Sequence, residues 1–513
     1  MPDSWVTSLD GPGSRRTQLM RALRDAIRSG RLQPDTRLPS YRALSADLGI
    51  ARNTVAEAYA ELVEEGWLTA RQGSGTRVAA RAAPPAGTRP HHPAAHTRRP
   101  VHDLAPSSPD AAAFPRAAWA ASARRALTAA PSEAFGPADP RGRPELRRAL
   151  AEYLSRARGV RADADRIVVC AGFAGGLRLL TALLPETVAV EAYGLRFHGR
   201  ILQDAGIRTV PLAVDDRGAD IAALPGGGAG AVLLTPAHQY PTGGALHASR
   251  RTAVVDWARA TGGLILEDDY DGEFRYDRQP IGAVQGLDPD RVVYLGSASK
   301  SLSPALRLGW MVLPGHLVDD LLAVKGGREL WTGVGDQLTL ADLLASGSYD
   351  RHLRRMRHAY RRRRDLLVTA LRNRHPGVRV TGIAAGLHAV LALPEGSELR
   401  VLAAARSLGV AVDGLSAYRH PASTMPPRDG LVVGYGTPPE HGFAAAVEAL
   451  CDALDRGTGP GHLTGWTGSG GGFGGEQGQA QTVGQETGGQ LAPDTVAEGV
   501  ERWREGGQRT LAG

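Results

Sequence analysis

A chain of 513 residues, 42% apolar and 22% charged, has room for two or more domains and the make-up of an ordinary soluble protein. Its formal charge of +7 permits an anionic partner without requiring one. No apolar run is long enough to cross a membrane, and the N-terminus lacks the apolar core of a signal peptide. Two cysteines, Cys170 and Cys451, cannot make a disulfide framework, so a reducing cytoplasm is the expected home.

The first predicted element is a helix carrying Leu19, Leu23 and Ile27 at helical spacing and closed by Gly30. Ser40 is placed to cap a second helix with an apolar stripe at Leu44 and Leu48, and Gly49 makes the turn out of it. A third helix begins at Arg52-Asn53-Thr54-Val55, with Val55, Tyr59, Leu62 and Val63 facing inward and the first three residues left exposed. Residues 66–78 read as a β-hairpin with basic residues near its tip. A helix, a glycine turn and a helix with polar groups at its start is the layout whose second helix enters a major groove N-terminus first.

The motifs Leu38-Pro39-Ser40, Leu48-Gly49, Arg52-Asn53-Thr54-Val55 and Gly73-Ser74-Gly75-Thr76 closely resemble the winged helix-turn-helix of GntR-type regulators. Composition alone does not show this, because residues 1–80 hold eleven Arg against nine Asp and Glu. The resemblance implies double-stranded operator DNA as partner. Arg42, Arg52 and Arg71 would then meet phosphates or guanine edges, and Asn53 and Thr54 the backbone or bases, with Ser40 and Gly73 in the same contact set. Ala51 departs from the pattern, standing where a capping Ser or Thr is usual. The domain is expected over 10–80, followed by a semi-stiff linker over 81–102 rich in Pro and Ala, with four Arg and no acid.

From 103 to 455 the pattern changes. Apolar runs at 167–170, 188–190, 231–234, 264–266, 292–295 and 310–313 alternate with helical stretches, which predicts an α/β unit around a mostly parallel sheet. Ala171-Gly172-Phe173-Ala174-Gly175-Gly176 turns the first run into a helix whose free N–H groups favour a phosphate, although such a turn can also serve packing alone. Glu267-Asp268-Asp269-Tyr270-Asp271 follows the fourth run. A carboxylate there can keep a pyridine nitrogen protonated, and a tyrosine hydroxyl can bond the ring's phenolic oxygen. No metal is expected, since no His accompanies these acids at ligand spacing. Then comes Ser297-Ala298-Ser299-Lys300, with Arg307 seven residues on. Lysine occurs only twice among the 60 Lys and Arg, at Lys300 and Lys325, and a primary amine can form a Schiff base where guanidinium cannot.

Together these segments resemble the fold-type-I aminotransferase domain that binds pyridoxal 5′-phosphate (PLP). Further matching stretches are Phe135-Gly136-Pro137, His238-Gln239-Tyr240-Pro241-Thr242-Gly243 and Gly386-Leu387-His388. The resemblance implies Lys300 as the Schiff-base lysine, Asp268 at the pyridine nitrogen with Asp269 the alternative, and Tyr270 on the 3′-oxygen. It puts Ser297, Ser299, Arg307 and the amides of Ala174 and Gly175 around the phosphate, and Arg428 on a ligand carboxylate. Tyr240 stands where aminotransferases commonly use an Asn, and Ala192-Tyr193-Gly194 replaces the usual Pro-Gly-Tyr, leaving any role of Arg196 open. A winged helix joined to such a domain is similar to the MocR/GabR-type regulators. That implies a head-to-tail homodimer and an effector that is a small amino compound or PLP itself. An active aminotransferase carrying a DNA-binding module is the rival reading. Residues 351–364 form a strongly basic helix, expected to be a solvated face or an auxiliary DNA track. Residues 456–513, rich in Gly and Gln, are expected to be disordered, with a short helix near 494–504.

Overall fold

The computed structural model describes residues 9, 11–71, 75–80, 100–106, 108–137, 139–276, 281–327 and 332–459. They fall into two compact units divided between Arg99 and Pro100. Most of the expected linker and nearly all of the expected tail lie outside the described residues. The large unit takes up the end of that linker, since His102–Asp103 pairs in parallel with Val410–Ala411. At the other boundary the last helix, Phe443–Thr458, runs three residues past 455.

The small unit consists of α1 (Arg15–Arg28), α2 (Tyr41–Leu48), α3 (Arg52–Glu64) and a hairpin of β1 (Leu68–Arg71) and β2 (Gly75–Val78). Leu19, Leu23, Ile27, Leu44, Val55, Tyr59 and Leu62 form its core, as their helical spacing requires. Val63 is only partly buried against them. The Ser40 hydroxyl accepts from the Ala43 amide at 3.2 Å and so caps α2, and Gly49 ends the helix in the left-handed conformation. Ala51 gives α3 no side-chain cap.

The large unit is built on a seven-stranded sheet. Its strands in chain order are β3 (Ile167–Cys170), β4 (Thr187–Glu191), β5 (Arg208–Leu212), β6 (Ala231–Leu234), β7 (Leu264–Asp268), β8 (Val292–Ser297) and β9 (Gly309–Val312), and in space they run β3-β9-β8-β7-β6-β4-β5. Only β9 runs against its neighbours. Strands covered on both faces need apolar side chains on both, so six of them carry apolar runs in place of an alternating pattern. Helix α4 (Pro144–Arg158) precedes β3, while α5 (Gly172–Leu180) and α6 (Arg196–Asp204) follow β3 and β4. A second, antiparallel sheet orders β10 (Arg379–Thr381), β11 (His388–Ala392), β13 (Gly430–Gly434) and β12 (Asp413–Gly414).

The basic stretch lies on α7 (Ser348–Arg374), and not all of its arginines face water. Arg363 is buried, bonding Asp110 at 3.1 Å and Glu440 at 3.0 Å, and Arg357 donates to the Glu273 carbonyl at 2.6 Å. Part of that charge is therefore internal bracing.

Candidate functional site

The site is assembled where β7 and β8 end side by side. Alternation along β7 sends Glu267 to one face, where it accepts from the Val284 and Gln285 amides at 2.8 and 2.9 Å, and Asp268 to the other. Asp268 is buried. The His198 Nε2 lies 3.5 Å from its Oδ2, and burial together with Asp269, Asp271 and Glu191 holds its carboxyl well above the ordinary range. Burial also pushes His198 down to about 3, so that ring is neutral; its Nε2 has no hydrogen-bond partner among the described residues, and Phe173 stacks on it with ring centroids 4.6 Å apart. Asp269 is committed elsewhere, to Arg158 of α4 and to the Tyr294 hydroxyl at 2.7 Å.

Lys300 lies in the turn after β8. Burial lowers its amine from the ordinary lysine value, opposed by Asp271 first and Asp268 second. Ser297 closes β8, and its hydroxyl accepts from the Ser299 amide at 3.4 Å. Arg307 adopts the left-handed conformation, with φ 52°, and donates to the Ala171 carbonyl at 2.6 Å. That contact sets its guanidinium against the first turn of α5, which contains Ala174 and Gly175. The approach depends on missing side chains. A Cβ on Gly309 would fall 2.7 Å from the Gly172 Cα, and one on Gly172 would fall 3.5 Å from Arg307. A guanidinium, two hydroxyls and a helix N-terminus make a cradle suited to a phosphate.

Beside this cradle lies a cavity of about 440 Å³ whose wall includes Glu191, Arg196, His198, Thr235, Tyr240 and Arg419. Tyr240 is buried, its hydroxyl 3.3 Å from that of Tyr418, which donates to Asp413 at 2.5 Å. Glu191 accepts from the Thr235 hydroxyl at 2.6 Å, yet burial still pushes it up to about 7. Arg196 joins the wall from the first turn of α6. Arg428 is not brought here. It is exposed and lines a different cavity with Thr242 and Thr381, from the stretch leading into β13, while Arg419 lines this one.

Sequence reading passed over several residues of this site. Glu191 and His198 carry no motif. His238, Asp271 and His388 form a buried group whose ligand-type atoms lie within 4.8 Å of one another, so histidines do stand beside the acidic segment, supplied by distant parts of the chain. The lone signal was the singling out of His238 and His388 within matching stretches. In the small unit Ser40, Arg42, Arg52, Asn53 and Arg71 are exposed and Thr54 is half-buried at the start of α3, while Gly73 lies outside the described residues.

A winged helix-turn-helix followed by a unit of this architecture defines a DNA-binding transcription regulator in preference to a free-standing enzyme. Residues 15–78 match the bacterial regulatory proteins of the gntR family, and residues 103–423 match aminotransferase class I and II. Similar over nearly their whole lengths are the pyridoxine biosynthesis transcriptional regulator PdxR of Corynebacterium glutamicum, 34% identical over 87% of this chain and 97% of its own, and the probable rhizopine catabolism regulatory protein MocR of Rhizobium meliloti, 33% identical over 84% and 92%. Among solved structures, kynurenine aminotransferase of Pyrococcus horikoshii superposes with a TM-score of 0.63 at 24% identity, covering 70% of this chain and 91% of that one. The α-aminoadipate aminotransferase LysN of Thermus thermophilus gives 0.62 at 24%, covering 69% and 92%. The chain belongs to the MocR-type transcription regulators, in which a gntR-family winged helix is joined to an aminotransferase class I and II domain.

Proposed function

We propose that this regulator holds PLP at Lys300 and adjusts its DNA binding to the cofactor itself or to an amino compound that reacts with it. The observation that carries the reading is the placement of Lys300 and Asp268 at the ends of adjacent parallel strands, beside the cradle of Arg307 and α5. PLP supplies an aldehyde that bonds reversibly to primary amines and a ring that accepts electron density. The residues fit it. Lys300, partly stripped of water, keeps its amine closer to the neutral, nucleophilic form. Asp268, its carboxyl held high by burial, can share a proton with the ring nitrogen, while Asp269 is engaged by Arg158. Tyr270 would donate to the 3′-oxygen with Tyr240 beside it, their rings 5.6 Å apart. Ser297, Ser299, Arg307 and the amides of Ala174 and Gly175 would hold the phosphate.

The name of the pyridoxine biosynthesis regulator favours PLP as the signal, and a cavity walled by Arg196 and Arg419 leaves room for an anionic amino compound. The partners proposed are operator DNA, met through Ser40, Arg42, Arg52, Asn53, Thr54, Arg71 and Gly73, and a second copy of the chain. The proposed location is the cytoplasm. Among the described residues no helix is long and apolar enough to cross a membrane.

The test is to supply PLP to the purified protein, read its visible absorbance, and run gel shifts on its upstream DNA with and without PLP. Lys300→Ala should lose the absorbance and the PLP response while still binding DNA. A colourless wild-type protein, or colour that survives Lys300→Ala, overturns the reading. The retention of Lys300, Asp268 and Tyr270 favours amino-group exchange as a second reading, and sustained keto-acid production over many turnovers would establish it.

A further inference from the structure

His238 sits behind Tyr270 in a position that neither the phosphate cradle nor the ring contacts use. Its Nδ1 lies 2.9 Å from the Tyr270 hydroxyl and 2.9 Å from the Asp271 Oδ2. The three side chains are buried, and the two rings lie nearly parallel with centroids 6.0 Å apart. One nitrogen with two oxygens at bonding distance can carry one proton at most. A carboxylate is the stronger acceptor, so the proton on Nδ1 belongs to the Asp271 bond. An imidazole that donates to Asp271 cannot also accept from Tyr270, which leaves the phenolic proton free to point elsewhere. The packing allows little else. A Cβ on Gly386 would fall 2.3 Å from the Asp271 Oδ2 and 2.4 Å from the His238 Cε1, so nothing larger fits across the pair.

We infer that His238, with its tautomer set by Asp271, is a positioning residue that keeps Tyr270 a hydrogen-bond donor toward the cofactor's 3′-oxygen. The inference rests on the PLP reading above and adds two residues to it. Asp271 has a further consequence. Its Oδ1 is buried with no hydrogen-bond partner among the described residues, and it is the foremost carboxylate opposing the loss of charge on Lys300. The same acid therefore faces the histidine on one oxygen and contributes to the field at the amine. The other ionisable groups around Tyr270 and His238 are Asp268 on the same segment, Glu191 at the end of β4, Tyr240, Lys300 after β8, and His388 on β11. His388 donates from its own Nε2 to the Pro241 carbonyl at 3.0 Å, which fixes its tautomer.

The experiment is a pH titration of the visible band of PLP-loaded full-length protein. Donation to the 3′-oxygen favours the form that has lost a proton, so losing the donor moves the midpoint upward. His238→Leu should raise it by about one pH unit, the size of one lost hydrogen bond. His238→Asn, whose amide nitrogen falls near the Nδ1 position, should restore most of that shift. Tyr270→Phe should raise the midpoint at least as far, and adding His238→Leu to it should change nothing more, since the histidine acts through the hydroxyl. Should His238→Leu fail to fold, His238→Gln, which carries its amide past the Nδ1 position, serves in its place. An unmoved midpoint in His238→Leu or His238→Gln overturns the inference, as do additive effects in the double variant. A stoichiometric divalent metal that survives chelator also overturns it, because Nδ1 would then be a ligand. A wild-type protein with no Lys300-dependent band is a different failure, that of the PLP reading itself.

Discussion

Arg158 and Asp269 meet through two hydrogen bonds of 2.6 and 2.9 Å with each side chain only 1% exposed, while burial and neighbouring acids hold the carboxyl of Asp268, one residue earlier, well above the ordinary range. Neighbouring acids should therefore respond oppositely to substitution. Arg158→Leu leaves a buried carboxylate uncompensated and should cost about 3–5 kcal/mol in urea denaturation. Asp268→Asn removes a carboxyl that burial already disfavours. It should leave stability within about 1 kcal/mol of the wild type and weaken PLP retention instead. A fully stable Arg158→Leu protein would show that Asp269 is not charged in that pair.

Stability should fall with rising pH through Glu191. Burial raises its folded value to about 7, above the ordinary carboxylate value, so the native state binds the proton more tightly than the unfolded chain does. The contribution is complete below about pH 4 and is lost as pH climbs through 7. Relative to its own stability at pH 5, Glu191→Gln should gain up to about 3 kcal/mol over the wild type by pH 8. Glu267 and Glu273, also raised to about 7, are common to both proteins and drop out of the difference. Parallel stability curves would place the titration elsewhere.

The two lysines should separate structure from chemistry. Lys325 is buried, its ammonium donating to the Val169 carbonyl at 2.8 Å and to that of Pro140. Lys325→Met should lose about 1–3 kcal/mol through unmet carbonyls and keep the PLP colour. Lys300→Met should do the reverse. Thermal melts and visible spectra of the two variants decide it.

In the winged unit Ser40 caps α2 and Ser14 caps α1, whereas α3 starts at Ala51 with no side-chain acceptor. Ala51→Ser should stabilise this unit by about 1 kcal/mol, read from its own unfolding step in the full-length chain. Arg52→Ala should instead weaken operator binding and reduce the steepness of its salt dependence by about one counterion.

Much of this was legible because the large sheet buries both faces of its strands, so their sequences had no choice but to be apolar. The exception is β5, which was not expected. It is an edge strand with Arg208 exposed and Pro211 inside it, and neither residue would survive in the middle of the sheet. Asp268 and Asp269 could not be told apart beforehand because Asp269 lies past the end of β7, where alternation no longer applies. The group of His238, Asp271 and His388 was hidden for a different reason. Two of its members come from separate connections and the third, His388, from the start of β11, and local spacing says nothing about which segments the fold brings together. Arg428 was named from the resemblance alone; it lies just before β13 and lines another cavity, while Arg419, from the preceding loop, lines the one beside Glu191 and His198.

Lys300 and Arg307 share one short connection between β8 and β9, which are bonded to each other from Tyr294 to Val312. If Lys300 and Arg307 hold the ligand as proposed, its two handles sit on one tight connection braced by the paired strands on either side. The cavity wall at Tyr418 and Arg419 is supplied separately, by the stretch that follows β12 of the antiparallel sheet.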